Sequence, residues 1–194
     1  MTKIIGLTGG IGSGKTMIAN YMKSLGIPVY IADDEAKNLM QTKEVIDAIV
    51  NEFGSEIIEK GSLSREKLAQ IVFTNPDKLQ KLNAIVHPAV KKHFETWLHN
   101  HHTFPFVIRE AAILFESGSY RDCDAVITVI APLETRIQRV IERDKTTREK
   151  VLQRMQNQWT DEQRIAQSDY IIHNITVKET KKQTDEILKL LKNQ

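Results

Sequence analysis

Residues 9–16 read Gly9-Gly10-Ile11-Gly12-Ser13-Gly14-Lys15-Thr16, directly after the apolar run Ile4-Ile5-Gly6-Leu7. An apolar strand, a glycine-rich turn and a helix in that order make a phosphate-binding P-loop. Such a turn lets successive backbone N–H groups converge on an anion, and the helix N-terminus adds the positive end of its dipole. Gly9, Gly12 and Gly14 carry no Cβ to obstruct that approach. The stretch Gly10, Ile11, Gly12, Ser13 and Gly14 is therefore the expected cradle for the phosphates of a nucleoside triphosphate. Lys15 is placed to reach the β- and γ-phosphates, and the Thr16 hydroxyl to join the coordination sphere of a Mg²⁺ that bridges them.

Outward from this loop, Lys3–Thr8 reads as a buried parallel strand and residues 16–25 as the helix after it, stopped by Gly26 and Pro28. A short strand over residues 28–31 runs into Asp33-Asp34-Glu35, where acidic residues open a new helix. From there to about Thr103 the pattern is one of successive amphipathic helices, near residues 44–53, 65–73, 77–86 and 88–100, without a strand between them. The last of these begins at His87-Pro88, a proline suited to a first helical position. Buried-strand patterns return at residues 104–108 and 125–130, the second followed by Pro132 and a helix through Arg143. Residues 145–167 are charged and helix-favouring, Tyr170–His173 reads as a last strand, and residues 177–192 as a final amphipathic helix.

Strands alternating with helices behind a P-loop predict an α/β, three-layer P-loop kinase fold. It has a central parallel five-stranded sheet, an inserted helical substrate lobe and a lid. The corresponding division assigns residues 1–32, 104–144 and 168–194 to a nucleotide-binding core, 33–103 to the lobe and 145–167 to the lid. A lid suits a phosphotransferase, because water left in the site competes as acceptor.

The 194 residues suffice for one such domain, and the net charge of +2 gives no sign of a nucleic-acid binder. One cysteine, Cys123, excludes an internal disulfide framework and a cysteine-rich zinc site, and reads as a part-buried thiol. No apolar stretch is long enough to cross a membrane, and no cleavable signal precedes the P-loop strand. A cytoplasmic protein is expected, with no nucleic-acid or membrane partner, as a monomer or weak homo-oligomer.

Phosphoryl transfer asks the protein for cationic neutralisation, an aligned acceptor and a group to take or orient its proton. Asp33 fits the last role, because it follows the second strand and would share the sheet edge of the P-loop; Asp34 is its near neighbour, and an N-cap is the structural alternative for Asp33. For Mg²⁺, no strand ends on an aspartate in the usual supporting place, which leaves Asp33, Glu110 or water. Arg136, Arg139 and Arg143 share a helix face at spacings of three and four, with Arg148 and Arg154 in the charged segment beyond. Their guanidinium groups suit phosphate oxygens, and a solvated helix face is the alternative. His99, His101 and His102 sit at a helix end without accompanying carboxylates and read as solvated; Trp97 and Trp159 read as packing residues.

These residues resemble one family, dephospho-coenzyme A kinase. The resemblance runs from Leu7-Thr8-Gly9 through Lys15 and Gly26-Ile27-Pro28-Val29 to Ala32-Asp33, then Leu68 and Phe73. It continues through Leu82-Asn83-Ala84-Ile85-Val86-His87-Pro88, Ile113-Leu114-Phe115-Glu116, Ala131-Pro132-Leu133-Glu134, Arg139, Arg154 with Gln158, and Ser168-Asp169-Tyr170-Ile171-Ile172-His173-Asn174. It implies ATP-dependent phosphorylation of the ribose 3′-hydroxyl of dephospho-CoA, with Asp33 as the acceptor-activating carboxylate and Lys15 as the charge-neutralising cation. It also implies Arg139 and Asn174 near the ATP base, Thr8, Asp33, Arg65 and His87 toward dephospho-CoA, and Arg143 and Arg148 in the lid. The chain departs from the family pattern at Ile31, where an aspartate is frequent, at Ala112, where a proline is, and at Arg136, where a glutamine is. A kinase for another small alcohol or nucleoside monophosphate shares the same core, and a nucleotide-responsive binding protein is a further class; the guanine-reading Asn-Lys-x-Asp segment of a GTPase is absent.

Overall fold

Apolar strands and amphipathic helices alternate through the structure, a computed structural model that describes residues 2–59, 61–72 and 75–193. The chain begins with β1 (Lys3–Thr8), α1 (Lys15–Ser24) and β2 (Val29–Ile31). It continues with α2 (Ala32–Leu39), α3 (Lys43–Phe53), a ribbon of β3 (Ile58–Glu59) and β4 (Ser62–Leu63), α4 (Arg65–Val72) and α5 (Pro76–Asn100). It then returns to β5 (Phe106–Glu110), β6 (Ala125–Ile130), α6 (Leu133–Asp144), α7 (Arg148–Gln156), α8 (Asp161–Ile165), β7 (Tyr170–His173) and α9 (Val177–Lys192). Phe73, which the sequence reading included in the fourth-segment helix, lies outside the described residues.

The chain divides into two compact units, one of residues 1–31 and 101–194 and one of residues 32–100. In the first, five strands form the expected parallel sheet in the order β2-β5-β1-β6-β7. β1 is central, and the strand order runs outward from it in both directions. A crevice at the carboxyl end of β1, between β5 and β6, is where such a sheet receives its ligand. On one face Ile18, Ala19 and Met22 of α1 and Ile187, Leu188 and Leu191 of α9 pack on Ile5, Leu7, Ile108, Ile127, Val129 and Ile172. A smaller cluster, Ile137, Val140 and Val151, joins α6 to α7. Each fully buried aliphatic side chain of this kind is worth about 1.5–3 kcal/mol.

β5 begins and ends two residues later than the apolar pattern predicts. Its register runs from Lys3 opposite Phe106 to Leu7 opposite Glu110, so Arg109 and Glu110 belong to the strand although both are charged, and both are buried. Glu110 is thereby carried to the carboxyl end of the strand beside β1, where it also pairs in register with Ile31 of β2.

The second unit has its own core, in which Val45, Ile49, Ile57, Leu63, Leu68 and Val72 are buried and Leu79, Leu82 and Ile85 pack against them. Two expectations are corrected here. The break at His87-Pro88 does not occur: α5 runs through Pro88 as one helix of 25 residues. Val86, Val90 and Phe94 keep the same buried side across the proline, and the missing N–H withdraws a donor from one carbonyl only, that of Ala84. The all-helical reading of this stretch also gives way to the β3–β4 ribbon, in which Ile58 pairs with Leu63 and Glu59 with Ser62, too short to leave a periodic pattern.

Candidate active site

The phosphate loop forms because β1 delivers the chain to the carboxyl edge of the sheet and α1 begins at Lys15. Gly12 and Gly14 take positive φ values of 79° and 100°, and Gly12 packs so closely on the backbone of Arg136 that a Cβ there would collide with it. Ser13 N–H donates to Gly10 O at 3.1 Å and closes the turn. Lys15 is buried, and its Nζ donates to Gly9 O at 2.7 Å across the loop. Thr16, the second residue of α1, is exposed.

Around the loop stands a ring of donors. Arg136 Nε donates to Ile11 O at 3.0 Å, and Arg139 Nη1 faces Gly12 O and Ser13 O at 3.4 and 3.5 Å. The buried Asn174, just past β7, donates its Nδ2 to Ser13 O at 2.7 Å. Its Oδ1 accepts from Thr180 Oγ1 at 3.0 Å, which fixes the orientation of the amide. Thr8 Oγ1 and Ser13 Oγ are buried and have no hydrogen-bond partner among the described residues. Two orphaned hydroxyls beside a cradle of loop N–H groups are what a phosphate ligand satisfies.

The profile described as dephospho-CoA kinase (CoaE) matches residues 3–179. The chain belongs to the dephospho-CoA kinase family. It is 41% identical to the dephospho-CoA kinase of Fusobacterium nucleatum over 88% of this chain and 89% of that one. Identity to the dephospho-CoA kinase of Porphyromonas gingivalis is 43%, over 79% and 76%. A crystal structure from Thermus thermophilus superposes with a TM-score of 0.85 at 33% identity, covering 98% of this chain and 96% of that one.

Of the residues singled out for this family, Thr8, Gly10 to Thr16, Arg139 and Asn174 come together around the loop. Arg143 and Arg148 lie further along the same unit and are engaged with carboxylates. Arg143 reaches Asp144 through Nε at 2.7 Å and Nη2 at 3.1 Å, and Arg154 reaches the same carboxylate at 2.6 Å. These bonds, Arg143 first, hold the Asp144 carboxyl well below the usual range. Arg148 makes a two-bond fork with Glu134 at 2.6 and 2.7 Å, which likewise lowers the Glu134 pKa.

Asp33, Arg65 and His87 belong to the second unit. α2 begins at Ala32, so Asp33 sits within its exposed first turn and is not the N-cap. Asp34 is held by Lys37 at 2.6 Å. Arg65 Nη2 donates to Lys37 O at 3.1 Å, and so is tied to the same helix as Asp33. His87 is exposed on α5. Trp97 stacks on Phe94 and Trp159 on Phe115, both as packing residues.

Sequence reasoning missed the supporting roles of Glu116, Gln158, Asp161 and Arg164. Gln158 Oε1 accepts from Ile11 N–H at 2.9 Å. Arg164 is fully buried, with Nη2 on Glu116 at 3.1 Å and Nη1 on Asp161 at 3.4 Å. Glu116 also accepts from Trp159 N–H at 2.9 Å. Spacing along the chain carries no trace of these contacts. The one local signal was Thr160-Asp161-Glu162-Gln163, a capping box that starts α8 and so sets the direction of Asp161 and Arg164.

Proposed function

We propose that this chain transfers the γ-phosphoryl group of ATP to the ribose 3′-hydroxyl of dephospho-CoA, giving CoA and ADP. The observation that carries this reading is the family match along nearly the whole chain, joined to a phosphate loop with two buried, unsatisfied hydroxyls at its edge.

Backbone N–H groups of residues 12–16 bind the phosphates, and Lys15 exchanges its bond to Gly9 O for a phosphate oxygen, offsetting charge as it spreads over the transferring group. Arg139 and Asn174, fixed beside Gly12 and Ser13, border the nucleotide. Arg65 and His87 contribute to acceptor binding from the second unit. Asp33 accepts or orients the proton of the acceptor hydroxyl, and Arg143 and Arg148 move from Asp144 and Glu134 to the phosphates on closure. Mg²⁺, when bound with the triphosphate, would offset part of its negative charge. The Thr16 hydroxyl at the start of α1 and the Glu110 carboxylate at the end of the strand beside β1 are the oxygen donors of this unit that suit it.

Purified protein with Mg-ATP and dephospho-CoA is expected to form CoA and ADP in equal amounts. Use of a different alcohol or a nucleoside monophosphate, with dephospho-CoA untouched, would refute the reading. Asp33→Asn should lower turnover by about 10²–10⁴-fold, the range for losing a general base. Near-normal turnover in that variant would remove Asp33 from the role.

A further inference from the structure

Ile11, at the crest of the phosphate loop, is held from three directions by elements that carry no loop residue. Its N–H donates to Gln158 Oε1 at 2.9 Å, and its carbonyl accepts from Arg136 Nε at 3.0 Å. Its side chain packs on the Ile137, Val140 and Val151 cluster of α6 and α7. The Arg136 guanidinium lies against Gly10, where a Cβ would run into it, and its Nη1 donates to Asp161 Oδ2 at 2.8 Å. Asp161 in turn meets the fully buried Arg164, which is anchored on Glu116. An unbroken line of polar contacts thus runs from the loop through Arg136 and Asp161 to Arg164 and Glu116.

We infer that Arg136 is a positioning residue for the phosphate loop. With Gln158 it immobilises the peptide groups on both sides of Ile11, so that the N–H groups that follow point at the triphosphate before it arrives. Three physical points support this. First, a buried guanidinium gives up hydration and needs several good partners; Arg136 is 8% exposed and has one on the loop and one on α8. Second, an N–H cradle stabilises developing charge in proportion to its preorganisation, and a loop free to rotate its peptides about Ile11 would have to be reordered by the ligand. Third, the contacts tie the crest of the loop to residues 158–164, so any displacement of that segment pulls on the loop. Asp161 sets the direction of the guanidinium, since its carboxylate holds Nη1 while Nε faces Ile11 O. This inference rests on the ATP reading above.

The test is kinetic. Arg136→Met, which removes every donor at about the same length, is expected to raise the KM for ATP roughly tenfold and to weaken ATP binding measured by calorimetry by the same factor, with the KM for dephospho-CoA unchanged. Asp161→Asn should raise the KM for ATP about threefold. The double variant should be no worse than Arg136→Met alone, because both substitutions cut the same line of contacts. A lowered melting temperature with unchanged ATP binding and KM in Arg136→Met would make the residue a structural strut and overturn the inference. If Arg136→Met fails to fold, Asp161→Asn decides: an unchanged KM for ATP overturns the inference, and a raised one with unchanged dephospho-CoA KM supports it. Unmodified protein that neither binds ATP nor phosphorylates dephospho-CoA would instead refute the function proposed above, so the two failures are told apart.

Discussion

Cys123 sits just before β6, half-buried, with its Sγ 3.7 Å from Ser119 O. Burial pushes its thiol up from 9.0 to about 11; Arg109 pulls the other way, while Asp122 and Asp124 add to the rise. The folded protein therefore holds the thiol proton more tightly than the unfolded chain does. The resulting stability is fully present below pH 9 and is lost as pH rises from there toward 11. At about 1.4 kcal/mol per unit the loss is no more than about 3 kcal/mol. Denaturant unfolding across that window should fall less steeply for Cys123→Ala than for the unmodified protein, the comparison cancelling lysine and tyrosine titration. Parallel curves for the two proteins would count against a buried thiol. The same burial predicts slow alkylation of the native protein at pH 8, since the thiolate is the nucleophile.

At the scale of elements, what was legible in the sequence was what is contiguous. Strand, loop and first helix follow one another over residues 3–24, and each announces itself by apolar run, glycine spacing or amphipathic period. β5 was displaced by two residues because Arg109 and Glu110 end the apolar run without ending the strand, and hydropathy cannot see that both are buried. The ring around the loop was half legible. Arg136 and Arg139 showed on one helix face, but Gln158 and Arg136 meet Ile11 across 147 and 125 positions, a distance no period reports. α5 shows the opposite failure, a strong local signal overruled by packing. Its apolar stripe continues through Pro88, so tertiary burial outweighs a substitution penalty of up to about 3 kcal/mol. Pro88→Ala should restore a donor to Ala84 O and raise the stability of the 32–100 unit, by about 1 kcal/mol or more, read as a higher denaturation midpoint. A lower midpoint would mean that the proline is required for the path of the helix.

On the scale of the whole molecule, the residues assigned to ATP fall in one unit and those assigned to the acceptor, Thr8 apart, in the other. The loop, Arg139 and Asn174 belong to the unit built on the five-stranded sheet, as does Thr8 of the acceptor set, whereas Asp33, Arg65 and His87 belong to residues 32–100. Nucleotide binding should then be separable from turnover by mutation. A ligand that binds only the folded protein stabilises it by RT ln(1 + [L]/Kd), about 2.7 kcal/mol at a hundred times Kd. For a chain of this size that is roughly 5–10 °C in melting temperature. Mg-ATP should give a shift of this order in the unmodified protein and in Asp33→Asn and Arg65→Ala, although both variants should be impaired in turnover. Lys15→Ala, which removes the cation from the phosphates, should lose most of the shift. Should Asp33→Asn abolish it as well, the carboxylate would be part of the nucleotide or metal site, and the division of labour between the two units would have to be abandoned. A full shift in Asp33→Asn together with lost phosphorylation leaves Asp33 acting on the acceptor alone, because a group that contributed equally to ATP binding could not be removed without cost to it.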